Sequence, residues 1–272
     1  MNDQTNRRKR QHIEVIGRDE GVERNGRFFD AIQLQHRAMP EINLHDVDPS
    51  IEIMGKRLSF PLLISSMTGG DDALVGKVNQ HLAEAAQITG VAMGVGSQRV
   101  MLEDTKAQAS FDLLRYAPDA LLFANMGAIQ LNNGMASAQL QQAIDVLAAD
   151  AIFLHLNPLQ EAVQPEGDTN FANLAQAIGH AQTQLNVPVV LKEVGAGLSV
   201  ADIELGLRHG IQWFDVAGRG GTSWARIEQQ RREDAHTLGF TLQDWGIPTP
   251  LAMKNARPYM QQANFIASGG LR

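Results

Sequence analysis

The chain has 272 residues, 44% hydrophobic and 19% charged, with a net charge of −7, a mean hydropathy of −0.18 and an isoelectric point near 5.6. Such a composition builds a globular domain with a substantial core, and its acidity argues against a general nucleic-acid binder. The absence of cysteine excludes a disulfide framework, a thiolate zinc site and a cysteine nucleophile. With no apolar signal core and no apolar run of membrane length, a cytoplasmic protein without a membrane span is expected.

Residues 1–59 form an N-terminal extension that carries several charges and includes the basic run Arg7-Arg8-Lys9-Arg10. From Phe60 onward, short apolar runs alternate with helical patterns. Strands are predicted at Leu62–Ser65, Val91–Gly94, Leu121–Asn125, Ala151–Leu156, Val189–Lys192, Trp213–Val216 and Phe265–Ser268, with helices at Leu74–Ile88, Ala138–Ala149 and Phe171–Leu185 between them. Regular βα alternation means a parallel sheet, either closed as a barrel or open and doubly wound. Residues 61–272 shared among seven strands give about 30 residues per unit, the spacing of a (β/α)8 TIM barrel. Polar or glycine-rich sequence follows nearly every strand, whereas an open sheet gathers its ligand loops at one switch point. A TIM barrel over 60–272 is therefore expected. It lacks an eighth βα unit, and two strand edges would be left open to a further pairing partner. The extension and the barrel make one domain.

The strand ends carry the chemistry. Ser65-Ser66-Met67-Thr68-Gly69-Gly70 lets backbone approach a flat ligand closely. Gly94-Val95-Gly96-Ser97-Gln98-Arg99 sets hydrogen-bonding groups and a cation after glycines, the arginine suiting an anionic group. Asn125 ends the third strand, and the fourth runs into His155-Leu156-Asn157-Pro158-Leu159-Gln160-Glu161. Lys192 follows Pro188-Val189-Val190-Leu191 directly. A lysine in that position is costly to bury unpaired and fits a ligand counter-charge. Ala217-Gly218-Arg219-Gly220-Gly221-Thr222-Ser223-Trp224 is an anion cradle near a helix start, and Gly269-Gly270 lies in the next loop. Phosphate sites of such barrels use these last loops. Together the loops suit one phosphate near the glycines and a flat ring near Thr68, Asn125 and Lys192. A separate polar cluster forms at His155, Asn157, Gln160 and Glu161. That is the layout of a flavin mononucleotide barrel with a substrate pocket.

These motifs, with Arg8-Lys9-Arg10-Gln11-His12, Lys192-Glu193-Val194-Gly195 and Asp215-Val216-Ala217-Gly218, resemble the type II isopentenyl-diphosphate isomerases, flavin enzymes of isoprenoid synthesis. The resemblance runs from about Arg8 to Arg272. It implies FMN contacts at Met67, Thr68, Ser97, Asn125, Lys192 and Thr222, with Gly270 and Arg272 near the phosphate. It implies substrate contacts at Arg8, Lys9, Ser97, Gln98, Arg99, His155, Asn157 and Gln160, and a Mg2+ ion held through Glu161. The implied reaction interconverts isopentenyl and dimethylallyl diphosphate without net redox change, once NADPH has reduced the FMN. Gln160 and His155 are the catalytic candidates. A homo-oligomer, tetrameric or larger, is expected. The alternatives are an FMN oxidoreductase of a related barrel family and an inactive, truncated barrel.

Overall fold

The computed structural model describes residues 2–24, 26, 28–66 and 73–271, with side chains from Arg8 onward. In chain order the extension holds α1 (Asn2–Arg18), β1 (Ile51–Ile53) and β2 (Lys56–Leu58). The alternating part holds β3 (Leu63–Ile64), α2 (Ala73–Thr89), β4 (Ala92–Gly94), α3 (Arg99–Glu103), β5 (Leu122–Gly127), α4 (Ser137–Leu147), β6 (Ala151–Leu156) and α5 (Pro158–Val163). It continues with α6 (Leu174–Gln184), β7 (Val189–Glu193), α7 (Val200–Arg208), β8 (Trp213–Asp215), α8 (Trp224–Gln230), α9 (Leu238–Thr241), α10 (Thr249–Ala256) and β9 (Asn264–Ile266). The seven strands β3 to β9 lie side by side in chain order, every neighbouring pair parallel. A doubly wound sheet would reverse that order at a switch point; an unbroken progression is the winding of a TIM barrel. Among the described residues it forms an arc of seven strands with β3 and β9 at its edges.

Side-chain alternation divides the core. One set of positions on β5 to β7 points outward to Ala143, Ile144, Ile178 and Ile203 on the helices and includes Leu122, Ile152, Leu154 and Leu191. The other set points to the barrel axis, where Ala92, Leu121, Phe123, Ala151, Phe153 and Val190 pack with Leu58 of β2. Phe123 and Phe153 stack with centroids 4.7 Å apart.

The extension serves both ends of the arc. The β1–β2 hairpin is not among the expected strands; its turn residues Met54 and Gly55 both have positive φ, the signature of a type I′ turn. It stops the lower end with Leu58. Lys56 Nζ donates to Ala120 O at 2.8 Å and to Asp150 Oδ2 at 2.9 Å. At the upper end α1 lies against α8. Val15, Val22 and Ile227 are buried together with Trp224 packed on them, and Asp19 accepts from Arg226 Nε at 2.7 Å and Nη2 at 2.9 Å.

Candidate active site

Inward parity decides which polar residues reach the site. Asn125, His155 and Lys192 each follow by two residues an inward core position, at Phe123, Phe153 and Val190. Strand register then aligns Gly127 with His155, His155 with Lys192, and Lys192 with Asp215. One rung, polar on β6, β7 and β8, lies directly above the aromatic floor. It borders a cavity of about 410 Å³, and Arg8, Lys9, Arg99, Gln160 and Glu161 also face that cavity.

Each member of the rung has defined partners. Lys192 Nζ donates to Asp215 Oδ2 at 2.7 Å and to Ser268 Oγ at 3.3 Å. Ser268 Oγ donates to Asp215 Oδ1 at 2.6 Å. The ammonium also lies 5.6 Å from the Phe153 ring centroid. A buried charge pair of this kind is tolerable because both partners are satisfied. Asn125 Nδ2 donates to Val95 O at 3.0 Å, which turns Oδ1 toward His155 Nδ1 at 2.7 Å. Burial first, then the charges of Lys192, Arg8 and Lys9, lower the His155 pKa to about 4.

The second cluster is built on α5. Asn157 Nδ2 donates to Glu161 Oε1 at 2.8 Å and to Gln160 Oε1 at 3.1 Å; Glu161 Oε2 accepts from Asp168 N at 2.7 Å. Burial pushes the Glu161 carboxyl up, against those two hydrogen bonds. Gln160 Nε2 donates to Glu228 Oε1 at 2.7 Å, and His12 Nε2 lies 3.0 Å from the same oxygen. Glu228 is fully buried and also pairs with Arg231. Burial alone would raise its carboxyl; the hydrogen bond from His12 and the charges of His12 and Arg231 outweigh it and hold the group at about 2.

The glycine loops after β8 and β9 interlock. Gly218 N donates to Ser268 O at 2.9 Å. A Cβ on Gly269 would meet Gly218 O at 2.0 Å, and one on Gly270 would meet Gly220 C at 2.6 Å. Both have positive φ, so side chains are excluded by space and by conformation. Gly221, Thr222, Gly269 and Gly270 line the cavity.

Most sequence-predicted residues therefore converge on one cavity: Arg8, Lys9, Ser97, Arg99, Asn125, His155, Asn157, Gln160, Glu161, Lys192, Thr222 and Gly270. Lys9 Nζ donates to Ser97 O at 3.0 Å. Arg99 Nε donates to Glu103 Oε1 at 3.1 Å, and Asp168 lies 3.8 Å from its Nη1. Met67, Thr68 and Arg272 lie outside the described residues. Gln98, expected on the substrate, does not line the cavity in this structure. Its fully buried side chain donates to Ala143 O at 2.9 Å and accepts from Asn125 N at 3.0 Å. It turns away from the cavity toward α4 and holds Asn125. Glu228, His12, Asp215 and Ser268 were not singled out. Glu228 carries the clearest signal, a carboxylate in the helix that directly follows the glycine-rich loop.

An arc of (β/α) units with a glycine cradle and a polar mouth defines the class of flavin-binding barrels, and the known proteins agree. Residues 13–117 match the family model described as FMN-dependent dehydrogenase. Among solved structures, the flavin-binding domain of baker's yeast flavocytochrome b2 superposes with a TM-score of 0.54 at 11% identity, covering 83% of this chain and 56% of that one. (S)-Mandelate dehydrogenase gives 0.51 at 15%, covering 83% and 66%. At such identities the likeness is one of fold. Sequence relatives go further. The isopentenyl-diphosphate delta-isomerase of Hydrogenovibrio crunogenus is 56% identical over 97% of this chain and 78% of its own length. That of Paracoccus zeaxanthinifaciens is 52% identical over 97% and 77%. The chain belongs to the type II isopentenyl-diphosphate delta-isomerase family.

Proposed function

We propose that this chain converts isopentenyl diphosphate to dimethylallyl diphosphate, with FMN kept reduced by NADPH and with Mg2+ on the diphosphate. The observation that carries this reading is the convergence on one cavity of the Lys192 rung, the glycine cradle, the cations Arg8, Lys9 and Arg99, and the Glu161 carboxylate. The residues fit FMN. The cradle excludes any side chain at 269 and 270, and Ser66 Oγ, buried at the cavity wall, has no partner among the described residues. They also fit Mg2+, which takes one or two carboxylates plus substrate phosphates. Glu161 is that carboxylate, and Asn157 Oδ1 is a buried oxygen with no partner among the described residues.

Bound and reduced, FMN would supply the proton exchange that moves the double bond. The protein's share is placement and charge. Lys192, held by Asp215 and Ser268, would face the ring as a fixed cation. Arg8, Lys9 and Arg99 would receive the diphosphate, supplying positive charge that the acidic chain lacks overall. Gln160, fixed between Asn157 and Glu228, would orient the hydrocarbon; an amide is too weak a base to do more. Ile13 and Ile16 of α1 and Trp224 of α8 line the same cavity and would keep water from it, which strengthens every charge inside. A homo-oligomer in a cytoplasmic setting belongs to the same proposal.

Anaerobic incubation of the purified protein with FMN, NADPH, Mg2+ and isopentenyl diphosphate tests it. Dimethylallyl diphosphate should form with only enough NADPH consumed to reduce the flavin. No product, with stoichiometric NADPH oxidation by a substrate, would instead favour an FMN oxidoreductase, the reading that the FMN-dependent dehydrogenase match keeps open.

A further inference from the structure

A second cavity, of about 670 Å³, lies outside the barrel between the first half of α6 and α7. Strand parity separates it from the first. On β7 Lys192 points to the axis, so Leu191 and Glu193 point outward, and both line this second space. Leu156, Phe171, Ile178 and Ile211 are among its apolar walls, and the exposed indole of Trp245 lines it at the surface. The volume falls within the roughly 300–1,000 Å³ of small-molecule sites.

One acidic group on this apolar wall is buried. Glu193 is 6% exposed. Its Oε2 accepts from Val194 N at 2.6 Å, Gly195 N at 2.7 Å and Gly197 N at 3.2 Å, and Ala196 N donates to it as well. All four loop amides thus fall on one oxygen. No described residue donates to Oε1, which is the oxygen left to the cavity. Tight packing holds the loop in place: Ile247 N donates to Ala196 O at 2.8 Å, and a Cβ on Gly246 would meet that same oxygen at 2.6 Å.

We infer that this cavity is a binding site for an apolar molecule carrying a protonated amine, with the ammonium donating to Glu193 Oε1. The inference stands apart from the isomerase reading of the first cavity. Charge complementarity selects the class of ligand. The lining includes Glu193 and Asp202 and no lysine or arginine, whereas Arg8, Lys9, Arg99 and Lys192 line the first cavity. Anions such as diphosphates suit the first space and are repelled by the second. Arg24 feels the Glu193 charge but does not line the cavity; it donates to Trp245 O at 3.3 Å and Thr222 O at 3.4 Å. The fold has already desolvated the carboxylate, so an incoming ammonium meets only its own desolvation cost. The charge-assisted bond it gains is about twice as strong as a neutral one. Burial pushes the Glu193 carboxyl up, against its four backbone hydrogen bonds; a cation beside Oε1 acts in the opposite sense.

The test is calorimetric titration of the full chain, with and without FMN, against three probes that share one apolar body: phenylbutylamine, phenylbutanol and phenylbutyrate. The amine should bind with a Kd below about 1 mM, about tenfold or more tighter than the alcohol, and the carboxylate should bind most weakly. Glu193→Gln keeps an oxygen for the loop amides and removes the charge. It should weaken the amine about tenfold or more while changing the alcohol less than about threefold, a split that a merely collapsed cavity would not produce. Should Glu193→Gln fail to fold, Ala175→Trp decides: an indole grown from α6 into the cavity should weaken the amine about tenfold or more by occupying its space. An alcohol bound as tightly as the amine, no amine binding, amine affinity unchanged by Ala175→Trp, or competition between amine and FMN would overturn the inference and leave the isomerase reading standing. Amine binding that disappears as the chain self-associates would assign the cavity to a second copy and overturn it too.

Discussion

The lower and upper inward layers of the same three strands make opposite use of burial. Phe123, Phe153 and Val190 stabilise the barrel by removing apolar surface from water. Two residues on, Asn125, His155 and Lys192 stand at the same parity, buried or half-buried, and are held there by partners rather than by hydrophobicity. The lower layer needs volume and shape. The upper one needs Val95 O, Asp215 and Ser268 in fixed positions. A single rise of two residues turns a core into a site.

Breaking the upper layer should therefore cost as much as breaking a core. Asp215→Ala leaves the Lys192 charge buried and unpaired, and is expected to lower stability by about 3–5 kcal/mol, measured by urea unfolding; a loss under about 1 kcal/mol would mean that water already solvates the lysine. At the α5 cluster, Glu161→Gln should reduce turnover more than about 100-fold at fixed Mg2+ while FMN stays bound, as an activity assay beside flavin absorbance would show. Normal turnover at ordinary Mg2+ removes the metal role. Lys192→Ala should weaken FMN binding about tenfold or more, equivalent to about 1.4 kcal/mol, read from flavin fluorescence; unchanged affinity would place the ring elsewhere.

The smallest effect concerns the α1 clamp, which neither layer touches. Asp19→Asn should cost about 1 kcal/mol and weaken substrate binding by loosening Arg8 and Lys9. Asp19, hydrogen-bonded by Arg226, has its carboxyl lowered from 3.8 to about 2. A lowered carboxylate contributes stability that is present above about pH 4 and lost as pH falls toward 2. Acid titration followed by the fluorescence of Trp224 should show α1 releasing in that window, and Asp19→Asn should lack its share of the transition.

The barrel strands were legible because a parallel strand buried on both faces reads as an apolar run. Ala151–Leu156 was bounded correctly for that reason, and the strand ends marked the ligand loops. Parity within a loop was not legible. Ser97, Gln98 and Arg99 look equivalent in sequence, yet the turn into α3 sends Gln98 outward to Ala143 O while its neighbours face the cavity. The hairpin at 51–58 escaped because its Ile-Glu-Ile and Lys-Arg-Leu segments are short and mixed, and only the turn at Met54-Gly55 betrays them. Glu228 escaped because Trp-Ala-Arg-Ile-Glu-Gln-Gln is patterned as a surface helix. Its burial depends on α1 and α5 arriving from distant parts of the chain.

The whole account stands on one cavity receiving ring and diphosphate together, so the direct measurement is a structure determined with FMN, Mg2+ and isopentenyl diphosphate bound. The flavin should lie above Phe153 beside Lys192 with its phosphate in the Gly218–Gly221 and Gly269–Gly270 loops, and the diphosphate should lie among Arg8, Lys9, Arg99 and His155 with the metal on Glu161. Ring and diphosphate found in separate places, or a diphosphate that avoids those cations, would contradict it.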